Sequence, residues 1–557
     1  MRSLCPMLLL ALAACDGLVL NSDGTVAIPG MPPGHGSGAG GGATGGTGGG
    51  STVVVPGSTV ALGLPGAYGR SGLRRLTRRE LAATVQQALG VAPGTLIDTT
   101  PDDIASTIAF ENEWGTQPID TTVIGGYDTF ASAMAATALA TRPDYVRAIA
   151  GCTPTGAGDR ACFTKFAQLV GRRLLRRTVT AAEAGRQADL LMPHAMTAGS
   201  FNVAAELLLT ALLQHPEVLY RVEGGRPASD PSLRALDDFE IATRMAFFIW
   251  GRGPDDALLD AAAAGMLQQP SVRAEHARRM FLDPSAQSHW SRFHGEWLGY
   301  ATLTLDPTLS ADMRQESDAL VKRVAFEPGR DWMTLFSSDE SFLTPQLAQH
   351  YGEPAPGATG FVKYQTARGG GILAHGTFLA LGAKFADTSP TLRGYEVFKR
   401  ITCGKLGSPP DFVDIDNPPG APGTCKTQSY SMRQNPTCAG CHNITDGIGF
   451  GLENFSATGA WRSTEPGNPQ CQIDGQGSFQ GTAYTGPKAL GELIAKSPDT
   501  SSCAVTQLFR FMNGRREDPA DVPTVLALAA QYQNSRTLQS IVVAMVETPA
   551  ITFRSAP

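Results

Sequence analysis

Five residues constrain this 557-residue chain more than any other feature: Cys438-Ala439-Gly440-Cys441-His442. Cysteines three apart on a helical turn lie on one side of it, and the next residue projects beside them. This is the c-type haem attachment pattern. Both thiols can reach the vinyl groups of one porphyrin, and His442 can supply an axial ligand to its iron. A zinc site would need further ligands from distant cysteines, and a thioredoxin-like CxxC would need a surrounding βαβ pattern, which the sequence lacks. One covalently bound haem c is therefore the expected cofactor. Cys438 and Cys441 would form its thioethers, and His442 would be the proximal iron ligand.

The rest of the chain must supply a body around that turn. Hydrophobic residues make up 42% of it, enough for buried cores, while 63 Gly and 38 Pro announce long irregular stretches. With 45 Lys+Arg against 51 Asp+Glu the net charge is -6, and no concentrated cationic run appears, so nucleic acid is not expected as a partner. No apolar run approaches the ~20 residues that cross a bilayer. From Leu73 onward the periodicity is helical. Thr77 with Glu80 three residues later forms a capping box for a helix that closes near Leu89-Gly90. Phe163 to Arg177 places Phe163, Phe166, Leu169, Val170 and Leu174 on one face, and Phe201 to Leu213, Leu236 to Trp250 and Asp255 to Ala264 repeat the theme. Pro254 and Gly265 bracket the last of these. No Asn-Gly hairpin signal and no repeat period is visible. From Gly369 a loop-rich texture with short helices takes over, and a final helical region follows Ser502, with a turn at Asn513-Gly514-Arg515. The expected fold class is mainly α: several helical domains in series, with a loop-rich c-type cytochrome module near the C-terminus.

The first residues read as an address. Arg2 precedes an apolar stretch from Met7 to Ala14, which is the layout of a secretory signal. Leu12-Ala13-Ala14-Cys15 resembles the bacterial lipobox, which implies that Cys15 becomes the first mature residue and carries lipid. Asp16 resembles an inner-membrane retention signal. Residues 34–50 are mostly Gly, Ser, Thr and Ala, a composition that cannot bury enough apolar surface to offset backbone entropy and so predicts a tether. The expected layout is a signal peptide (1–15), a Gly-rich linker (16–66), helical domains at 67–150, 151–190 and 191–355, the cytochrome module at 356–470 and a closing helical domain at 471–557. An exported periplasmic or cell-surface lipoprotein of a bacterium is expected.

Ten cysteines are present. Besides Cys5, Cys15 and the motif pair, Cys152, Cys162, Cys403, Cys425, Cys471 and Cys503 remain, an even number suited to disulfides in an oxidising compartment. Six cysteines allow about 15 pairings. Proximity along the chain favours Cys152–Cys162 and Cys403–Cys425, leaving Cys471–Cys503.

The residues together resemble the planctomycete-type cytochrome c proteins, in which one cytochrome module lies among domains of unknown function. Arg75-Leu76-Thr77-Arg78-Arg79-Glu80 with Phe110-Glu111-Asn112 resembles the first domain, and Cys162 through Arg172-Arg173 and Arg176-Arg177 to Glu183 the short second one. Leu212-Leu213, Pro216-Glu217, Leu219-Tyr220-Arg221, Phe248-Ile249-Trp250 and Pro254-Asp255-Asp256 resemble the third. The cytochrome module is matched at Gly371-Ile372-Leu373-Ala374-His375, Thr388-Ser389-Pro390, Arg393-Gly394 and Asn435-Pro436-Thr437-Cys438, and through to Gly449-Phe450-Gly451-Leu452-Glu453-Asn454-Phe455. The closing domain is matched from Phe509 to Gly514-Arg515 and at Phe553-Arg554. Three departures stand out: Asp446-Gly447 where relatives have Asp-Pro, Ser456 where they have Asp, and Met432 where they often have His, six residues before the first motif Cys.

His and Met are the usual protein ligands of a six-coordinate haem c, and Met raises the potential. Met432 is thus a candidate distal ligand, with Met512 and His375 as rivals and ordinary packing as the alternative. His289, His294 and Glu296, near Trp290 and Trp297, read as a packing face before a metal site. Trp461 and Arg462 read either as contacts to a haem propionate or as solvated surface. Arg172, Arg173, Arg176 and Arg177 read as partners of nearby carboxylates. Three functions follow: electron transfer to or from a redox partner protein, which is favoured; a haem-dependent peroxidase or oxidase with an open iron face; and a surface protein that binds a polymer such as polysaccharide. No catalytic residue is assigned, and no hydrolase or nucleotide-binding motif is present.

Overall fold

The computed structural model describes residues 72–556, except 105, 107, 117–120, 304–306, 385–386 and several positions within 411–422, together with residue 69 and two short strands near the N-terminus. Within the unit 1–59, Val19–Leu20 pairs antiparallel with Val26–Ala27. The expected signal peptide, Cys15 and, those strands aside, the expected linker lie outside the described residues.

The unit that follows is mainly helical, with small sheets only. Helix Arg78–Leu89 begins at the Thr77–Glu80 capping box and stops at Gly90, whose φ of 69° suits a residue without a Cβ. The same box recurs at Thr180–Glu183 and Asp237–Glu240; each such cap contributes about 1 kcal/mol. Leu81, Val85, Ala88 and Leu89 face a core shared with Thr121–Thr141, Arg160–Leu175, Ala181–Ala198 and Phe201–Leu213. In Arg160–Leu175 the expected face is buried at Phe163, Phe166, Val170 and Leu174 and half-buried at Leu169.

Helix Asp238–Trp250 is buried at every position from Ile241 onward, and the one charge in that run, Arg244, is paired with Glu223. Phe247 packs into the first core, while Ile241, Met245, Phe248 and Ile249 enter a second and larger one. Trp290, Trp297 and Trp332 sit in that second core with Phe293 and Phe511. The chain returns to this helix at its end. Phe553–Ser555 pairs antiparallel with Leu233–Ala235, and buried Arg273 donates to the carbonyls of Val546 and Glu547.

Two helices position the CxxCH turn. Pro390–Ile401 crosses Pro436–Gly449 at backbone contact. A Cβ on Gly394 would lie 1.7 Å from the Thr445 carbonyl oxygen, and one on Gly449 would lie 1.8 Å from that of Pro390. Only glycine fits either place. Hairpin Gln476–Phe479/Thr482–Thr485 backs the crossing, and Tyr484 donates its hydroxyl to the Ile448 carbonyl.

The six remaining cysteines form three disulfides. Cys152–Cys162 pairs as expected, but the other two expected pairings are corrected to Cys403–Cys503 and Cys425–Cys471. Proximity along the chain misleads because the fold lays helix Pro498–Asn513 beside the end of Pro390–Ile401, bringing Cys503 to Cys403 across 100 residues. No described helix is long and apolar enough to cross a membrane.

Candidate cofactor attachment site

Asn435 caps the Pro436–Gly449 helix, its side-chain oxygen accepting from the Thr437 N–H at 3.0 Å, and Pro436 fills the first helical position. Cys438 and Cys441 stand one turn apart near its start, half-buried and exposed respectively, and neither is in a disulfide. The thiols are thus available to a third party.

His442 follows with its side chain 26% exposed. Its Nδ1 donates to Asp446 Oδ2 at 2.9 Å, one turn further along the same face. Asp446 is fully buried, and its Oδ1 accepts from Thr391 Oγ1 at 2.7 Å on the crossing helix and from Thr445 Oγ1 at 3.2 Å. The bond to this carboxylate raises the His442 pKa above its ordinary 6.5 against the opposing effect of burial. With the proton held on Nδ1, the lone pair of the neutral ring lies on Nε2. Nε2 makes no hydrogen bond to a described residue. Two free thiols and an outward imidazole nitrogen, oriented by a carboxylate behind it, are the donor set that covalent haem requires.

The sixth-ligand candidates are dispersed. Met432 is 40% exposed on the short turn Ser431–Gln434, directly before the motif helix. Met512 is buried in the large core. His375 is fully enclosed, with Nδ1 at 3.2 Å from Ser317 Oγ and Nε2 at 3.3 Å from Ser341 Oγ, so both its ring nitrogens are occupied away from the motif.

A second polar group lies beside the site. Glu453 is buried and bonds Arg393, Lys426 and Arg462, with Asp387 and Thr388 completing the network. Burial would push its pKa up, yet Arg393 and Lys426 hold it below the ordinary value. Arg462 is therefore neither free surface nor an open anion ligand, and Trp461 packs edge-on against Phe455. The two corrected disulfides flank this region, Cys425 directly before Lys426 and Cys403 just beyond helix Pro390–Ile401.

Other sequence candidates resolve into packing. His294 takes the Trp332 indole N–H on Nε2 at 2.8 Å, His289 bonds the Phe248 carbonyl, and burial lowers both pKa values. No cluster of three or more His, Cys, Asp or Glu suited to a metal occurs among the described residues. Arg172 pairs with Asp260, Arg173 with Asp256 and Arg177 with both Glu183 and Glu217, whereas Arg176 is buried against the carbonyls of Glu217, Val218 and Tyr220. Sequence reasoning missed the role of Asp446, although its position four residues after His442 on a helix was a readable signal.

Four family models match the chain in series, each described as a protein of unknown function: DUF1587 at residues 74–140, DUF1592 at 236–352, DUF1588 at 368–465 and DUF1585 at 480–551. The CxxCH turn falls within the DUF1588 match. No curated protein and no solved structure matches the chain. The order of these domains agrees with the resemblance traced in the sequence, and the chain belongs to the proteins built from planctomycete-type cytochrome c associated domains of unknown function.

Proposed function

We propose that the chain is an exported, membrane-anchored monohaem c-type cytochrome that transfers electrons to or from an extracytoplasmic partner protein. The observation that carries the reading is the pair of unbridged thiols beside an imidazole whose Nδ1 is held by buried Asp446. Bound haem would supply one-electron chemistry at its iron. Cys438 and Cys441 hold the group, His442 offers Nε2, and Asp446 keeps the proton on Nδ1. Gln434 to Thr437, Gly440 and Cys441 are exposed, which suits an outer-sphere partner docking beside the motif. Export and anchoring rest on the signal-like start and Cys15.

Expression with a cytochrome c maturation system tests the reading. Haem staining should persist under denaturing conditions and disappear in Cys438→Ala/Cys441→Ala, and spectra in both oxidation states should be six-coordinate. Colourless mature protein would end it. A high-spin spectrum with rapid peroxide turnover would point instead to a peroxidase or oxidase. Lipid labelling that is lost in Cys15→Ala would support the anchor.

A further inference from the structure

We infer that Asp446 is a positioning residue for the iron ligand: its carboxylate orients His442 and enriches the ring in electrons, holding the bound haem at a lower reduction potential than a neutral acceptor would. This rests on the haem reading above.

The geometry is specific to a buried anion. Asp446 is fully enclosed, while the ring it holds faces outward. Its orientation is set from two sides: His442 on Oδ2 and Thr445 on Oδ1 within its own helix, and Thr391 on Oδ1 from the crossing helix. That crossing is close enough for Thr391 to reach only because Gly394 and Gly449 lack a Cβ. Among the described residues the salt bridge of Asp446 is with His442, while Tyr430 and Arg433 lie close enough to act on the pair through their charges. A charge-assisted hydrogen bond pulls the Nδ1 proton toward the carboxylate and raises the electron density at Nε2. A buried negative charge behind the ring also favours the more positive, oxidised iron.

The test uses full-length haem-loaded protein and reads the reduction potential. Asp446→Asn keeps an acceptor oxygen but removes the charge, so the potential rises. Thr391→Val removes the shorter of the two hydroxyl bonds to Oδ1, leaving that from Thr445, and lets the carboxylate bond the imidazole more strongly, so the potential falls. Opposite shifts support the inference, because a general loosening of the site would move both variants the same way. An unchanged Asp446→Asn potential, or two shifts of one sign, overturns it while the haem reading stands. If Asp446→Asn does not accumulate, Thr391→Val decides alone: a lowered potential supports the inference, and an unchanged or raised one overturns it. Wild-type protein that carries no covalent haem sinks the haem reading, and the inference with it.

Discussion

Glu316 and His375 share one hydroxyl: Ser341 Oγ lies 2.6 Å from Glu316 Oε1 and 3.3 Å from His375 Nε2. Tyr351 donates to the other carboxyl oxygen at 2.7 Å and Ser317 contacts Nδ1 of the imidazole, and all five residues are buried. Arg368 covers it, stacked 3.6 Å from the centre of the Tyr351 ring and bonded to the carbonyls of Gly459 and Ala374. The cluster joins the segment matched by DUF1592 to the one matched by DUF1588. Two such domains are thereby joined through one buried polar knot.

The knot gives stability a two-sided pH dependence. Burial raises the Glu316 pKa from 4.5 to about 7, so between those values the folded chain keeps a proton that the unfolded chain releases. Stability therefore falls as pH rises through that window. Burial, with Arg368, lowers the His375 pKa from 6.5 to about 3, so below 6.5 the unfolded chain gains a proton that the folded one refuses. Stability falls on this side as pH drops toward 3. Glu316→Gln should lessen the loss of melting temperature between pH 5 and 7 without abolishing it, since buried Glu296 and Asp103 act in the same direction. His375→Gln should lessen the acid loss without abolishing it, since buried His289 and His294 act in the same direction. Parallel pH profiles for wild type and both variants would refute the assignment.

Glycine content in the motif helix separates into two kinds. Gly394→Ala should lower stability by about 1–3 kcal/mol or more, because the new Cβ meets backbone rather than a yielding side chain. Gly440 faces open space, so Gly440→Ala should raise helix stability by about 0.5–1 kcal/mol. Thermal unfolding of the haem-free protein compares them, and equal midpoints would contradict the close crossing.

Legibility in the sequence followed the range of the interaction. Phe201–Leu213 was readable residue for residue, and the Thr77 box needed only residues three apart. The hairpin at Gln476–Phe479/Thr482–Thr485 escaped because its turn is Gln480-Gly481, with φ of 50° and 79°, where an Asn-Gly pair is the usual signal. The CxxCH turn announced itself, and so did the family, through short motifs kept in order. Thr391 behind Asp446, the Glu316 knot and two of the three disulfides were invisible for one reason. Each joins segments that only the folded chain brings together.

The corrected disulfides differ in what they constrain. Cys403–Cys503 closes a loop of 100 residues and Cys152–Cys162 one of 10. On chain-entropy grounds the longer loop contributes about 4–5 kcal/mol and the shorter one less. Cys403→Ser/Cys503→Ser should lower the melting temperature further than Cys152→Ser/Cys162→Ser. A non-reducing peptide map should recover the 403–503 and 425–471 links, and a fragment joining Cys403 to Cys425 would overturn the connectivity.

Met432 offers the sharpest test of iron coordination, because its side chain is spare. At 40% exposure it takes little part in any core, so Met432→Ala should change stability by less than about 0.5 kcal/mol. If its thioether fills the distal position, the same variant should lose the six-coordinate spectrum of the loaded protein, and the reduction potential should fall, since Met is the ligand that raises it. Met512 is 4% exposed, so Met512→Leu should instead act mainly on packing. An unchanged Met432→Ala spectrum together with an altered Met512→Leu spectrum would transfer the distal role to helix Pro498–Asn513. Loss of six-coordination in Met432→Ala with its melting temperature intact would assign the role to the exposed turn.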